Sequence, residues 1–178
     1  HGYADLTMQD IADESSKSKA ALHYHYDSKH DLLCAFLDYL YERFVERTAA
    51  VEGEDAHERL LGLVEAVLER PGGDREAFET AILEIRAQAP YERGFRDRLT
   101  RFDDHLVTEL TGIIDAGVEA GTFDEDVDPS DTAQFIVTVL TGASTQRVTA
   151  GRPVECSQRM LDNYVATNLL AEPAELSG

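Results

Sequence analysis

Apolar residues in this chain recur at three- and four-residue spacing almost from end to end, and that period restricts the fold to packed α-helices. Leu32, Leu33, Phe36, Leu37, Leu40, Phe44 and Val45 form one stripe, which predicts a helix over 28–50. Leu60, Leu61, Val64, Val67 and Leu68 form a second, closed by Pro71-Gly72-Gly73; Phe78, Ile82, Leu83 and Ile85 form a third, ended by Pro90. Phe95, Leu99, Phe102, Leu106, Leu110, Ile113, Ile114 and Val118 predict a long fourth helix that stops near Gly121. Asp128-Pro129-Ser130-Asp131 reads as a helix start, with proline in the first turn and carboxylates at the positive end of the dipole. That helix runs to about residue 149 and breaks at Gly151-Arg152-Pro153, and Met160, Leu161, Tyr164, Val165, Leu169 and Leu170 predict the last one. Alternating strand patterns and hairpin dipeptides are absent, so the expected fold is all-α.

The first 26 residues are built differently. Two short helices are expected, over 7–14 and 18–24, joined by Ser15-Ser16-Lys17. Thr7 caps the first, with Asp10 placed for a capping box; Ile11 and Ala12 supply its inner face, and Leu22 that of the second. Two short helices across a tight turn form a helix-turn-helix, whose second helix enters the DNA major groove, although an ordinary helical hairpin has the same outline. The expected division is an N-terminal helix-turn-helix DNA-binding domain over 1–47 and a larger helical effector-binding and dimerisation domain over 48–178.

Charge sharpens this reading. The 178 residues include 16 basic and 35 acidic side chains, a formal net charge of −19, which excludes a generally basic, polyanion-coating surface. There are 13 arginines but only three lysines, Lys17, Lys19 and Lys29; from residue 48 onward 11 basic side chains face 26 acidic ones, with no lysine. Abundant carboxylate and scarce lysine suit a halophilic protein, because the Debye length falls to about 3 Å at 1 M salt and self-repulsion is screened. An acidic protein from ordinary salt is the plainer alternative. Either way, three lysines gathered in one window suggest a local task involving anions. No apolar run approaches the roughly 18 residues of a membrane span, and no leader segment is recognisable. Two cysteines, Cys34 and Cys156, are too few and too far apart for a disulfide scaffold or zinc site. The expectation is a soluble, cytoplasmic protein with no membrane partner, no metal and no cofactor.

The run Gly2-Tyr3-Ala4-Asp5-Leu6-Thr7-Met8-Gln9-Asp10-Ile11-Ala12 resembles the opening of the helix-turn-helix in the tetracycline-repressor (TetR) family. The match continues through Ser18-Lys19-Ala20-Ala21-Leu22, His23-Tyr24-His25-Tyr26, Ser28-Lys29 and Asp31-Leu32-Leu33. Beyond that, the resemblance is one of helix order: a long helix ending in Gly121-Thr122-Phe123, then Asp128-Pro129 and a helix containing Gly142. The chain departs from the family pattern at Ser16 (usually Gly), Lys17 (usually a buried Val), His23 (more often Tyr) and Tyr26 (usually Phe). The polar turn these create makes Ser16 and Lys17 candidate phosphate contacts. The family's first helix precedes the Gly-Tyr turn, and on this resemblance it is absent from the chain.

Each candidate contact has a chemical reason. Thr7, at a helix N-terminus, offers a hydroxyl and free backbone N–H groups to a phosphate, and Lys29 adds an ammonium to the start of the helix over 28–50. Ser18, Lys19, Ala20 and Ala21 occupy the exposed first turn of the recognition helix, where Lys19 can reach guanine O6 or N7 and the alanine methyls can pack on thymine. Tyr24 and His25 present a hydroxyl and a ring N–H at the groove edge, which the resemblance assigns to backbone contact, and His23 beside them is a further candidate; for His25, packing between helices is the alternative reading. His23 and His25 lie two apart and project to different sides of a helix, so with His30 they do not form a metal cluster. Glycine-rich phosphate loops, nucleophile elbows and paired histidines at helical spacing are absent, and Cys34 has no evident base neighbour, so no catalytic residue is expected.

The resemblance implies a homodimer that binds pseudo-palindromic double-stranded operator DNA and responds to an unknown small-molecule effector. The effector pocket falls on Phe78, Ile82, Ile85, Arg86, Phe102, Leu106, Phe135, Thr138 and Val139, all of which can also be ordinary core or surface. The dimer interface falls on Phe135, Ile136, Val139, Leu140, Ala143, Met160, Leu161, Tyr164 and Val165, whose stripes look too long for one short domain to bury. The expected function is a ligand-responsive transcriptional repressor. A small all-α enzyme or ligand carrier without DNA binding, or a module that only dimerises, are the rivals.

Overall fold

The structure is a computed structural model that describes residues 7–14, 18–69 and 75–171. Among these it contains eight helices: α1 (Met8–Glu14), α2 (Lys19–His25), α3 (Lys29–Ala49), α4 (Ala56–Leu68), α5 (Arg75–Gln88), α6 (Arg93–Glu119), α7 (Pro129–Ala150) and α8 (Glu155–Asn168). No strand is present among the described residues beyond an isolated bridge between Phe123 and Leu170. No helix there is long and apolar enough to cross a membrane.

Local chemistry sets the helix ends. Thr7 and Asp10 form a full capping box: the Asp10 carboxylate accepts from the Thr7 backbone N–H (2.7 Å) and hydroxyl (2.6 Å), while Asp10 N–H donates to Thr7 Oγ1 (3.3 Å). At α3 the Ser28 hydroxyl donates to the Asp31 carboxylate (2.7 Å) and accepts from the Asp31 N–H (3.1 Å), and Asp55 caps α4 through the Glu58 N–H at 2.8 Å. Asp128 caps α7 ahead of Pro129. The helices α4 and α8 begin several residues before their apolar stripes, because their first turns are polar and leave no mark on the periodicity. At the far end of α7, Gly151 takes φ 60° and its N–H returns to Arg147 O, while Arg152 N–H reaches Gln146 O, a left-handed cap that a β-carbon would strain.

By packing, the chain forms two compact units, His1–Phe44 with Glu76–Phe102, and Val45–Arg75 with Asp103–Gly178. This grouping differs from a division at 47/48, because α5 and the start of α6 bury Ile85, Phe95 and Leu99 against Cys34 and Leu37 of α3. In the same unit, Met8, Ala12 and Leu22 form the small helix-turn-helix core, with Ile11, Tyr26 and Leu32 packed on it. The beginning of α3 therefore serves two cores of one unit, Leu32 on one side and Leu33, Cys34 and Leu37 on the other.

In the second unit, α4 packs on α7 and α8 through Leu60, Leu63, Val64, Ile136, Leu140, Leu161 and Val165, all nearly inaccessible. Gly121 (φ 71°) turns the chain after α6 so that the Phe123 ring folds back onto Gly117. Asp124 N–H then donates to Leu169 O (2.8 Å) and Ala171 N–H to Thr122 O (3.1 Å), which clips the end of α8 beside this turn.

Candidate nucleic-acid interface

The second helix of the pair presents its first turn to solvent. Ser18 caps α2 by accepting from Ala21 N–H at 3.1 Å, which leaves its hydroxyl hydrogen available to a phosphate. Ser18, Lys19 and Ala20 are exposed, Ala21 is half-buried, and Leu22 anchors the helix from beneath. Unlike α1 and α3, this helix has no acid in its first turn, so the positive end of its dipole is not offset by a carboxylate of its own. His23, Tyr24 and His25 are exposed, with Tyr24 at 85%. Tyr24 and His25 meet edge to face at 5.0 Å, so His25 is a surface residue rather than one packed between helices. Lys29 is the first residue of α3 and is half-buried.

Thr7 takes the capping role expected of it: its hydroxyl and its amide both donate to the Asp10 carboxylate. Those two bonds hold the Asp10 carboxyl below its ordinary value. Ser16 and Lys17 lie outside the described residues.

The expected pocket residues divide between the two units. In the first, Ile82 and Ile85 belong to the core around Cys34 and Leu37. Phe78 meets Phe36 edge to face at 6.2 Å, and Phe102 contacts the rings of Tyr41 (5.3 Å) and Phe44 (5.4 Å); Arg86 is half-buried. In the second, Leu106 is core and Val139 half-buried, while Phe135 and Thr138 are exposed, the Thr138 hydroxyl donating to Gln134 O at 2.8 Å. Exposure of Phe135 and Thr138 on α7 argues against a buried lining at those two positions.

The expected interface residues separate too. Ile136, Leu140, Ala143, Leu161 and Val165 are buried inside their own unit, in which α4 packs on α7 and α8. Five of the nine expected interface residues are thus buried within one unit. What stays outside is Phe135 (45% exposed) and Met160 (60%), with half-buried Val139 and Tyr164; the Phe135 and Tyr164 rings lie 4.9 Å apart. That apolar patch spans α7 and α8.

Two clusters in the first unit escaped sequence reasoning. His30 stacks on Phe95 at 4.7 Å, its Nε2 lies 3.4 Å from Cys34 Sγ, and its Nδ1 is 3.7 Å from Glu92 Oε2. Cys34 thus has an imidazole neighbour one helical turn away, a four-residue spacing that was legible in the sequence; burial nevertheless pushes its thiol pKa up and disfavours the thiolate. Asp38 accepts from Arg98 Nε and from Arg101 NH1, both at 2.9 Å, and Arg101 lies 4.2 Å over the Tyr41 ring. In the second unit, His105 Nε2 lies 2.9 Å from the buried Thr48 hydroxyl.

Comparison with known proteins matches this chain to two family models. Residues 1–36 match the model described as bacterial regulatory proteins, tetR family, and residues 56–170 match that described as BetI-type transcriptional repressor, C-terminal. The chain is 28% identical over 131 residues to the HTH-type transcriptional repressor KstR2 of Rhodococcus jostii, a match covering 71% of this chain and 62% of that relative's length. A crystal structure of a TetR transcription regulator from Haloarcula marismortui is 40% identical, with a TM-score of 0.85 over 95% of this chain and 90% of that one. A transcriptional regulator from Saccharomonospora viridis, solved in complex with choline, is 27% identical, with a TM-score of 0.83 over 96% of this chain and 90% of that one.

Proposed function

The chain belongs to the TetR family of transcriptional regulators, and from that membership we propose that it is a ligand-responsive DNA-binding repressor. The observation that carries the reading is the exposed, acid-free first turn of α2, Ser18-Lys19-Ala20-Ala21, set on a buried Leu22 in a chain with no lysine outside residues 17–29. Lys19 reads a base edge in the major groove, while Ser18, Tyr24, His25 and Lys29 contact the backbone. The Phe135–Met160–Tyr164 patch pairs with its copy across a two-fold axis. In that homodimer two recognition helices sit about 34 Å apart, in successive major grooves of a pseudo-palindromic operator.

Residues from about 48 onward hold the effector. A small molecule that binds one arrangement of the dimer better than the other shifts the population away from the spacing that fits DNA. The choline-bound neighbour makes choline the first compound to assay. The acidic, lysine-poor composition supports operation in concentrated salt.

Footprinting on the DNA upstream of the chain's own gene tests the reading, followed by titration of the protected duplex with Lys19→Ala and Lys29→Ala. Lys19→Ala should relax preference at one base position at a cost of about 1–3 kcal/mol, whereas Lys29→Ala should weaken operator and random DNA alike. Equal losses on both sequences from both variants would remove the direct-readout role of Lys19, and no protected site at any salt would leave a carrier or a dimerising module as the better description.

A further inference from the structure

Positive charge in this chain has a second address. Arg93, Arg96, Arg98 and Arg101 stand within nine residues of one another, with Asp97 among them and Glu92, paired with His30, just before, whereas residues 102–146 contain ten acids and neither lysine nor arginine. Two of the four are engaged inward, since Arg98 and Arg101 both bind Asp38. The other two face outward at the corner between α5 and α6. Arg96 donates from Nε to Ala89 O (3.2 Å) and from NH2 to Pro90 O (2.7 Å), cross-tying the corner backbone. Arg93 is 91% exposed in its side chain and makes only a 3.6 Å ion pair with Asp97, one turn on and also exposed, which an incoming anion can displace. Tyr91, 83% exposed, completes an open cleft with Pro90, Arg93, Arg96 and Asp97.

This corner adjoins the helix start that carries Lys29. Gly94 packs so closely on the His30 ring that a β-carbon there would fall 2.8 Å from Nε2, and Phe95 stacks on the same ring. His30 follows Lys29, and two residues further on Leu32 packs on the helix-turn-helix core. A planar guanidinium and a phenol hydroxyl, held on a braced corner of an otherwise acidic protein, suit phosphodiester oxygens, which accept from both. We propose that Tyr91 and Arg93 contact the backbone of duplex DNA outside the half-site read by α2, extending the footprint from the base of α3. The inference rests on the DNA-binding reading above.

The test uses the full chain and the duplex delimited by footprinting, once with long flanks and once trimmed by a few base pairs at each end. Arg93→Gln is the probe, and Arg152→Gln, an equal change of charge at an exposed site in the other unit, is its control. On the long duplex Arg93→Gln should weaken binding three- to tenfold and shift the log–log salt slope toward zero by about 0.9, the release expected for one phosphate. Tyr91→Phe should weaken it by a smaller factor. The trimmed duplex should bind wild type and Arg93→Gln equally, and Arg152→Gln should match wild type on both. If Arg93→Gln keeps its affinity and slope on the long duplex while Lys19→Ala still loses operator preference, the corner contact is refuted and the DNA-binding reading stands. Equal weakening by Arg152→Gln refutes it as well, since the effect is then one of net charge. If wild type protects no DNA, both readings fall.

Discussion

Two glycines on α6 offer a test of packing in which helix propensity largely cancels. Gly112 lies mid-helix and Gly117 in the last turn, and within a helix alanine is favoured over glycine by about 0.5–1 kcal/mol. A β-carbon at Gly112 meets nothing within 4 Å, so Gly112→Ala should stabilise the protein by that amount. At Gly117 the same atom would lie 2.2 Å from Cδ2 and 2.5 Å from Cε2 of Phe123, and 2.8 Å from the Ala56 β-carbon. Carbon atoms settle at about 3.5–4.0 Å, so the overlap with the ring exceeds roughly 1 Å. Phe123 is 1% exposed and its backbone is clipped to the end of α8, so the ring cannot swing into solvent. Overpacking of this kind costs about 1–3 kcal/mol, and the size of the overlap points to the upper part of that range. The two variants should therefore differ by about 2–3 kcal/mol. For a chain of this length that is roughly 4–12 °C in Tm, with Gly112→Ala above wild type and Gly117→Ala below it. Thermal melts followed by circular dichroism in one buffer, at one protein concentration, measure the difference directly. A Gly117→Ala protein that melts with Gly112→Ala would show that the Phe123 ring is not held against α6 as described.

Other expectations follow from single contacts. Phe135→Asp should weaken dimerisation by at least about 2 kcal/mol, roughly thirtyfold in dissociation constant, giving a lighter particle by light scattering at micromolar protein with helix content unchanged; an unaltered mass would remove the α7–α8 patch from the interface. Cys156 is exposed and Cys34 buried with its thiol pKa raised, so a thiol reagent should label Cys156 quickly and Cys34 only on unfolding; rapid loss of both thiols would contradict the burial of Cys34. Because the folded state depresses the Asp10 pKa, its contribution to the N-terminal helix pair is present above the ordinary value of 3.8 and is lost as pH falls through the lower folded value. Carboxyl NMR should find Asp10 titrating below 3.8, and Asp10→Asn should abolish that step; titration at or above the ordinary value would mean that the Thr7 bonds are not made.

What the sequence alone determined was local. Helix order, the caps at Thr7, Ser28 and Asp128, and the breaks at Pro90, Gly121 and Gly151 depend on residues one to four positions apart, so the chain carries them without reference to its fold. The exposed turn Ser18-Lys19-Ala20 was legible for the same reason, since a seven-residue helix with Leu22 as its buried anchor has only one way to face a core. Tertiary structure decided which apolar face meets which. Periodicity marks Phe135, Ile136, Val139 and Leu140 alike as apolar, but only the packing of the folded unit buries Ile136 and Leu140 and leaves Phe135 outside. Nothing in residues 76–102 announces that they join the helix-turn-helix unit; that follows from Phe95 and Ile85 finding Cys34 and Leu37 some fifty to sixty positions earlier in the chain. The Thr7 hydroxyl could have pointed to solvent or to Asp10, and the folded backbone turned it to Asp10. Apolar spacing encodes that a surface must be covered, whereas the partner that covers it is settled by the close approach of distant segments, as where Gly94 admits the His30 ring.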